Sequence, residues 1–260
     1  MEYLIYFIII GFSTTVGSLS GMGGGVIIKP ALDALSYSDL SNINFYSSFA
    51  VFSMATISLI KKYKNGEKIS IRKLIYILLG SILGGKIGYE IFQNLLVKFD
   101  DDIVKLIQIA IVILILSVSV YYTSFCKYSL NIKNEISYFI ISFILGVVST
   151  FLGIGGGPIN VSLFMFVFGI EIKIATFYSI LTIFFSQLSK NFVDFFIIGV
   201  SAYNIKPLFF IFPAALLGGN LGTTLNLKSS NKFVQKIYTI TTIGVILLNI
   251  INGLKILINL

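Results

Sequence analysis

The sequence predicts an all-α polytopic membrane protein made of two homologous four-to-five-helix repeats, with inversion favoured and a glycine-broken first helix in each. Three observations predict it. The 260-residue chain is 56% hydrophobic and 12% charged, where soluble domains carry about 25% charged residues. Its apolar residues fall in long runs, such as 3–10, 103–122 and 237–251. Finally, Gly21-Met22-Gly23-Gly24-Gly25 and Gly153-Ile154-Gly155-Gly156-Gly157 repeat one pattern at about half the chain length.

Eight apolar segments follow in order: 3–36, 44–60, 72–97, 103–122, 137–169, 172–198, 204–227 and 233–258. The charged stretch 127–135 separates the first four from the last four. This divides the chain into a membrane repeat at 1–122, a linker loop at 123–136 and a second repeat at 137–260. The first and fifth segments are too long for one plain crossing. Each must either tilt steeply as a broken helix or fold back as a hairpin at its glycines.

A glycine run costs roughly 1 kcal/mol per residue against alanine in a helix. In lipid it also frees backbone groups, so it survives only where protein or a water-filled cavity surrounds it. Matching breaks in two halves point to the kind of site that secondary transporters place at a repeat interface.

The third and seventh segments also match. Gly80, Gly84 and Gly88 form one small-residue stripe, and Ala214, Gly218 and Gly222 form the other. Such stripes let helix backbones approach closely in lipid.

Charge placement bears on orientation. Six of the nineteen cations lie within 61–73, which reads as a cytoplasmic loop. If the long segments fold back, the halves are inverted, and twelve cations lie inside against five outside. A single crossing of each gives eleven against six and parallel halves. The margin is small. A lysine triplet at Lys228, Lys232 and Lys236 and a cation-free N-terminus lean toward inversion.

Composition excludes several classes. The net charge of +8 is accounted for by membrane loops and does not imply nucleic acid. No histidine is present, so the usual zinc sites, histidine-ligated haem and a histidine-based triad are out, and no cofactor is expected. Cys126 is alone, which precludes an intrachain disulfide and a cysteine relay. No P-loop is present to couple ATP directly. The chain therefore reads as a non-enzyme.

A broken helix leaves N–H groups unpaired at the start of its second half, and the dipole adds partial positive charge there. An oxyanion can take both without a charged side chain. Gly23, Gly24 and Gly25, with Gly155, Gly156 and Gly157, are thus the first candidates for anion contact. Pro158 suits a first helical turn. The competing reading is that these glycines only let helices cross closely. Asn160 could donate an amide to the anion or bond a neighbouring helix.

Gln187 and Lys190 lie on or near one helical face, with Asp194 four residues after Lys190. Lys190 could supply charge to an anion path, with Asp194 tuning it or taking a proton, or the two could form a plain i,i+4 pair. Lys86, set among glycines one turn before Glu90, is a further charge-tuning candidate, with snorkelling as its alternative. Lys29 is read the same way.

The pattern resembles the TauE/SafE, sulfite exporter-like, family of membrane proteins. The resemblance rests on the stretch from Gly17 through the first glycine run to Lys29-Pro30, and on its second copy from Gly146 to Asn160. It also rests on both glycine-rich third helices, and on Lys190 followed by Gly199. Ser162 stands where the second copy usually has proline, and Lys29 interrupts a stretch that is usually apolar.

The resemblance implies secondary transport of a small anion, such as sulfite, an organosulfonate or a related sulfur oxyanion, across the cell membrane. An anion channel or a packing subunit of a larger complex is the alternative. Homodimer formation and coupling to a proton or sodium ion stay open.

Overall fold

The computed structural model describes residues 2–35, 37–126 and 128–259. Met1, Ser36, Lys127 and Leu260, which fall at the two ends, in the first apolar segment and in the mid-chain charged stretch, lie outside the described residues.

The described chain is all α-helical. The first apolar segment is divided into α1 (Glu2–Ser20) and α2 (Gly25–Leu35). There follow α3 (Leu40–Lys64), α4 (Ile71–Lys98) and α5 (Asp101–Phe125). The fifth segment is likewise divided, into α6 (Ile136–Leu152) and α7 (Pro158–Phe168). Then come α8 (Ile172–Phe192), a π-helical turn at Val193–Gly199, α9 (Leu208–Lys228) and α10 (Asn231–Asn259). Among the described residues, seven helical stretches are long and apolar enough to cross a bilayer: α1, α3, α4, α5, α8 with its π-helical extension, α9 and α10. Large apolar side chains such as Ile8, Leu114 and Leu247 point outward, as lipid contact requires.

Local chemistry sets the helix ends. Asp39 caps α3 by accepting from the Asn42 N–H at 2.7 Å, and Ser70 stands at the N-cap of α4. α6 stops where Gly153 turns left-handed at φ 65°, a conformation costing other L-residues roughly 1–2 kcal/mol. Pro158 opens α7, where its missing N–H leaves nothing unsatisfied.

Contacts fix the helix directions. Tyr6 meets Tyr46 and Ser18 bonds Ser58, so α1 and α3 run the same way. α9 follows them, with Gly218 against Gly11 and Gly222 against Thr15. α4 runs with α6, since Gly80, Gly84 and Gly88 abut Phe139, Phe143 and Val147 in turn. α4 also runs with α8, through Gly85 on Ser186 and Tyr89 over Lys190. α3 and α8 are opposed: Asn44, Ser48 and Phe52 meet Lys190, Gln187 and Phe184. Hence α1, α3 and α9 point one way, and α4, α6 and α8 the other.

The chain doubles back at both glycine runs. Gly23 N–H donates to Gly17 O at 3.3 Å, and Gly24 packs on Thr14, so α2 returns along α1. Tyr138, early in α6, stacks on Phe168 at the end of α7 at 3.9 Å, so α7 returns along α6.

Candidate functional site

The two glycine runs meet inside the protein. Gly157 N–H donates to Met22 O at 2.7 Å. A Cβ at Gly23 would stand 2.9 Å from Gly155 O, and one at Gly25 would collide with Ile154 O. The glycines are required for two reasons. Gly23, Gly155, Gly156 and Gly157 have positive φ. Gly24 and Gly25 do not, but Thr14 and Ile154 occupy the space that a side chain would need. The first turns of α2 and α7 both start at this junction, which brings two partly positive helix ends close together.

Buried polar side chains surround the junction. Asn44 of α3 abuts Gly153, Asn160 of α7 lies beside Gly156, and Ser47 faces Gly25. Both side-chain polar atoms of Asn44 and of Asn160, and the Ser47 hydroxyl, are buried without a hydrogen-bond partner among the described residues. Burying an unpaired amide or hydroxyl costs about 1–3 kcal/mol in proteins. Unmet donors and acceptors are thus gathered at the junction, where most buried polar groups in proteins would be paired.

Gln187 braces the junction from α8. Its Oε1 accepts from Ser48 Oγ at 2.7 Å, and its Nε2 donates to Ser149 Oγ at 3.1 Å. It thereby ties α3 to α6 across α8.

Lys190 and Asp194 form a fully enclosed pair. The ammonium lies 2.9 Å from Asp194 Oδ2 and donates to Asn44 O at 3.3 Å. Asp194 Oδ1 accepts from Tyr89 at 2.7 Å and from Tyr203 at 2.8 Å. Gln93 in turn donates to the Tyr89 hydroxyl at 2.8 Å. The π-helical turn begins at Val193, so Asp194 is displayed from irregular helix. Because Lys190 reaches the backbone of Asn44, whose side chain abuts Gly153, the charge pair is one residue removed from the junction.

The structure therefore brings together all six glycines, Asn160, Gln187, Lys190 and Asp194. Lys86 lies apart: it is 64% exposed and sits 3.9 Å from Glu90 on the outer face of α4. Lys29 is buried and has a structural task. It donates to Gln108 Oε1 at 2.5 Å and to Leu152 O at 2.8 Å. Gln108 donates to Phe151 O at 2.6 Å. Together they satisfy carbonyls at the end of α6, where a cation also suits the negative dipole end.

Sequence reasoning missed Asn44, Ser47, Ser48, Tyr89 and Tyr203. Asn44 carried a usable signal, an amide opening an apolar segment, where polar groups are functional by default. The tyrosines carried none: the long-range pairing of α4 with α8 places Tyr89 at Asp194, and the irregular segment after α8 folds Tyr203 back onto it.

Among the described residues, seven helices long and apolar enough to cross a bilayer, with two interrupted helices meeting inside the protein, define a multi-pass membrane protein. The chain belongs to the sulfite exporter TauE/SafE family, whose profile matches residues 6–248. It is also similar to the probable membrane transporter protein YunE of Bacillus subtilis (strain 168), at 24% identity over 94% of this chain and 95% of the relative. The chain is accordingly a membrane transport protein of this family and not an enzyme.

Proposed function

We propose that this protein is a secondary transporter that moves a small anion across the cytoplasmic membrane, namely sulfite, an organosulfonate or a related sulfur oxyanion. The anion rests between the starts of α2 and α7, on backbone N–H groups of the two glycine runs other than those of Gly23 and Gly157, which already donate to Gly17 O and Met22 O, with Asn160 and Asn44 completing its shell. The observation that carries this reading is the meeting of both glycine runs beside two buried, unpartnered asparagines. The family assignment supports the substrate class.

The halves act as inverted repeats, 1–122 and 137–260, joined by the loop 123–136. The opposed directions of α3 and α8 support this, as do the reciprocal pairings of α1 with α9 and of α6 with α4. The contacts exchange in detail: Gly85 meets Ser186 O as Gly219 meets Met54 O, and Asn44 abuts Gly153 as Thr176 abuts Gly21. The lysine-rich end of α3 and the α9–α10 connection, with Lys228 before it and Lys232 and Lys236 after it, then face the cytoplasm. Lys190 lends the site its charge and Asp194 tunes it, or carries a coupling proton.

Thermal-shift measurements on the detergent-purified protein test the reading. The panel is sulfite, sulfate, thiosulfate, sulfoacetate, taurine and simple carboxylates. A ligand at 100 times its Kd should stabilise the fold by about 2.7 kcal/mol. Asn160→Asp, nearly isosteric but negative, should abolish the shift while the protein stays folded. A shift that survives in this variant places the anion elsewhere. Flux through proteoliposomes that does not saturate, and is not stimulated by anion on the far side, would indicate a channel.

A further inference from the structure

A polar cleft opens between α2, α5 and α10, away from the glycine junction. Its outer part, about 200 Å³, is walled by Lys105 and Lys255 together with Asp33, Asp102 and Asn252. A narrow inner extension, which shares Asp33, Lys105 and Ile109 with the outer part, is lined by Lys29, Gln108, Leu152 and Ile154. The cleft thus runs from the surface to the carbonyl end of α6 and to Ile154, a member of the second glycine run. Its floor is built of buried polar groups: Lys29 is 5% exposed and Gln108 2%.

Charge and topology say what enters it and from where. The start of α5 and the end of α10 share the end of the molecule opposite the lysine-rich end of α3 and the α9–α10 connection, which places the cleft on the outer face. Three lysines against two aspartates line it, so the cleft is net positive. Low-dielectric walls focus such a field and raise the local concentration of counter-ions.

We propose that this cleft is an external vestibule that binds small oxyanions and delivers them to the second glycine run. Lys105 and Lys255 draw the anion in, and Lys29 with Gln108 forms the floor that must part before it reaches the junction. This rests on the anion-transport reading above.

The test uses the full-length protein in intact cells, with Cys126→Ser as the background. Ala34→Cys places a thiol at the exposed mouth, and Ile109→Cys one where the two parts meet. Ser201→Cys, exposed on the same face but outside the cleft, is the reference. Each is treated from outside with a membrane-impermeant sulfonate methanethiosulfonate and with its trimethylammonium counterpart.

The ratio of anionic to cationic labelling rate should be several-fold higher in the cleft than at Ser201→Cys. It should fall back toward the reference when Lys105→Gln and Lys255→Gln are added. A ratio equal to the reference, or one that favours the cation, overturns the vestibule, as does labelling from the cytoplasmic side only. Because Ala34 is exposed, its variant keeps the test decisive if Ile109→Cys fails to fold. Proteoliposome flux separates the two proposals: a raised ratio without sulfoacetate transport removes only the transport reading, and transport without a raised ratio removes only the vestibule.

Discussion

The ammonium of Lys190 lies 2.9 Å from the carboxylate of Asp194, and both side chains are closed off from solvent. Enclosure makes the pair costly to break and cheap to replace whole, because the desolvation penalty of each charge is met only by its partner. Lys190→Met alone should therefore destabilise by about 3–5 kcal/mol. Lys190→Met with Asp194→Leu should recover part of that loss, though not all, since Tyr89 and Tyr203 would then lose their acceptor. Thermal midpoints of the three proteins in one detergent check this. A double variant less stable than Lys190→Met alone would show that the pair holds the fold by more than charge neutralisation.

Gly153 separates two costs that a single glycine substitution usually mixes. Its φ of 65° is unfavourable for alanine, and a Cβ there would collide with the Asn44 amide. Gly66 has a similar backbone, φ 89°, with nothing within 4 Å of the missing Cβ. Gly66→Ala should thus cost only the conformational part, about 1–2 kcal/mol. Gly153→Ala should cost clearly more, and adding Asn44→Ala should remove only the excess. Denaturation of the four proteins under matched conditions measures each part. Equal losses at Gly66 and Gly153 would mean that Asn44 yields freely.

Lys29 and Lys86 mark how far the sequence could be read. Both are lysines in apolar helices, and both were legible only as intramembrane charges. One is buried on helix carbonyls and the other is 64% exposed. The difference is the helix face, and which face is inward depends on partners distant in sequence. The glycine runs were legible because a bilayer forbids the pattern unless it is enclosed. Their number and spacing predicted the places where α1 and α6 stop. The choice between a tilted helix and a fold-back was not, because it turns on contacts such as Gly24 with Thr14 and Tyr138 with Phe168.

The burial of Lys29 leads to a specific expectation. Lys29→Met keeps the stem's volume but leaves Gln108 Oε1 and Leu152 O without their donor. Each orphaned acceptor costs about 1–3 kcal/mol. Lys86→Met should change stability by no more than a few tenths, since its ion pair is exposed and such pairs contribute little. Paired melting curves read the contrast. Equal effects at the two lysines would remove Lys29 from its place at the end of α6.

The small-residue stripes give the last prediction, because each faces backbone. A Cβ at Gly84 would collide with Phe143 O, and one at Gly218 would stand 2.5 Å from Gly11 O. Neither oxygen sits on a flexible side chain, so relief requires two helices to separate. Gly84→Ala and Gly218→Ala should both destabilise, despite alanine's higher helix propensity. Gly244 of α10 is the counter-case: nothing lies within 4 Å of its missing Cβ. Gly244→Ala should therefore gain up to about 1 kcal/mol from propensity alone. Combining Gly84→Ala with Gly218→Ala should give the sum of the single losses, since they strain separate helix pairs, α4 with α6 and α1 with α9. A loss well short of the sum would mean that the two pairs loosen as one unit, as they would if a single rocking motion of the halves moved both contacts together.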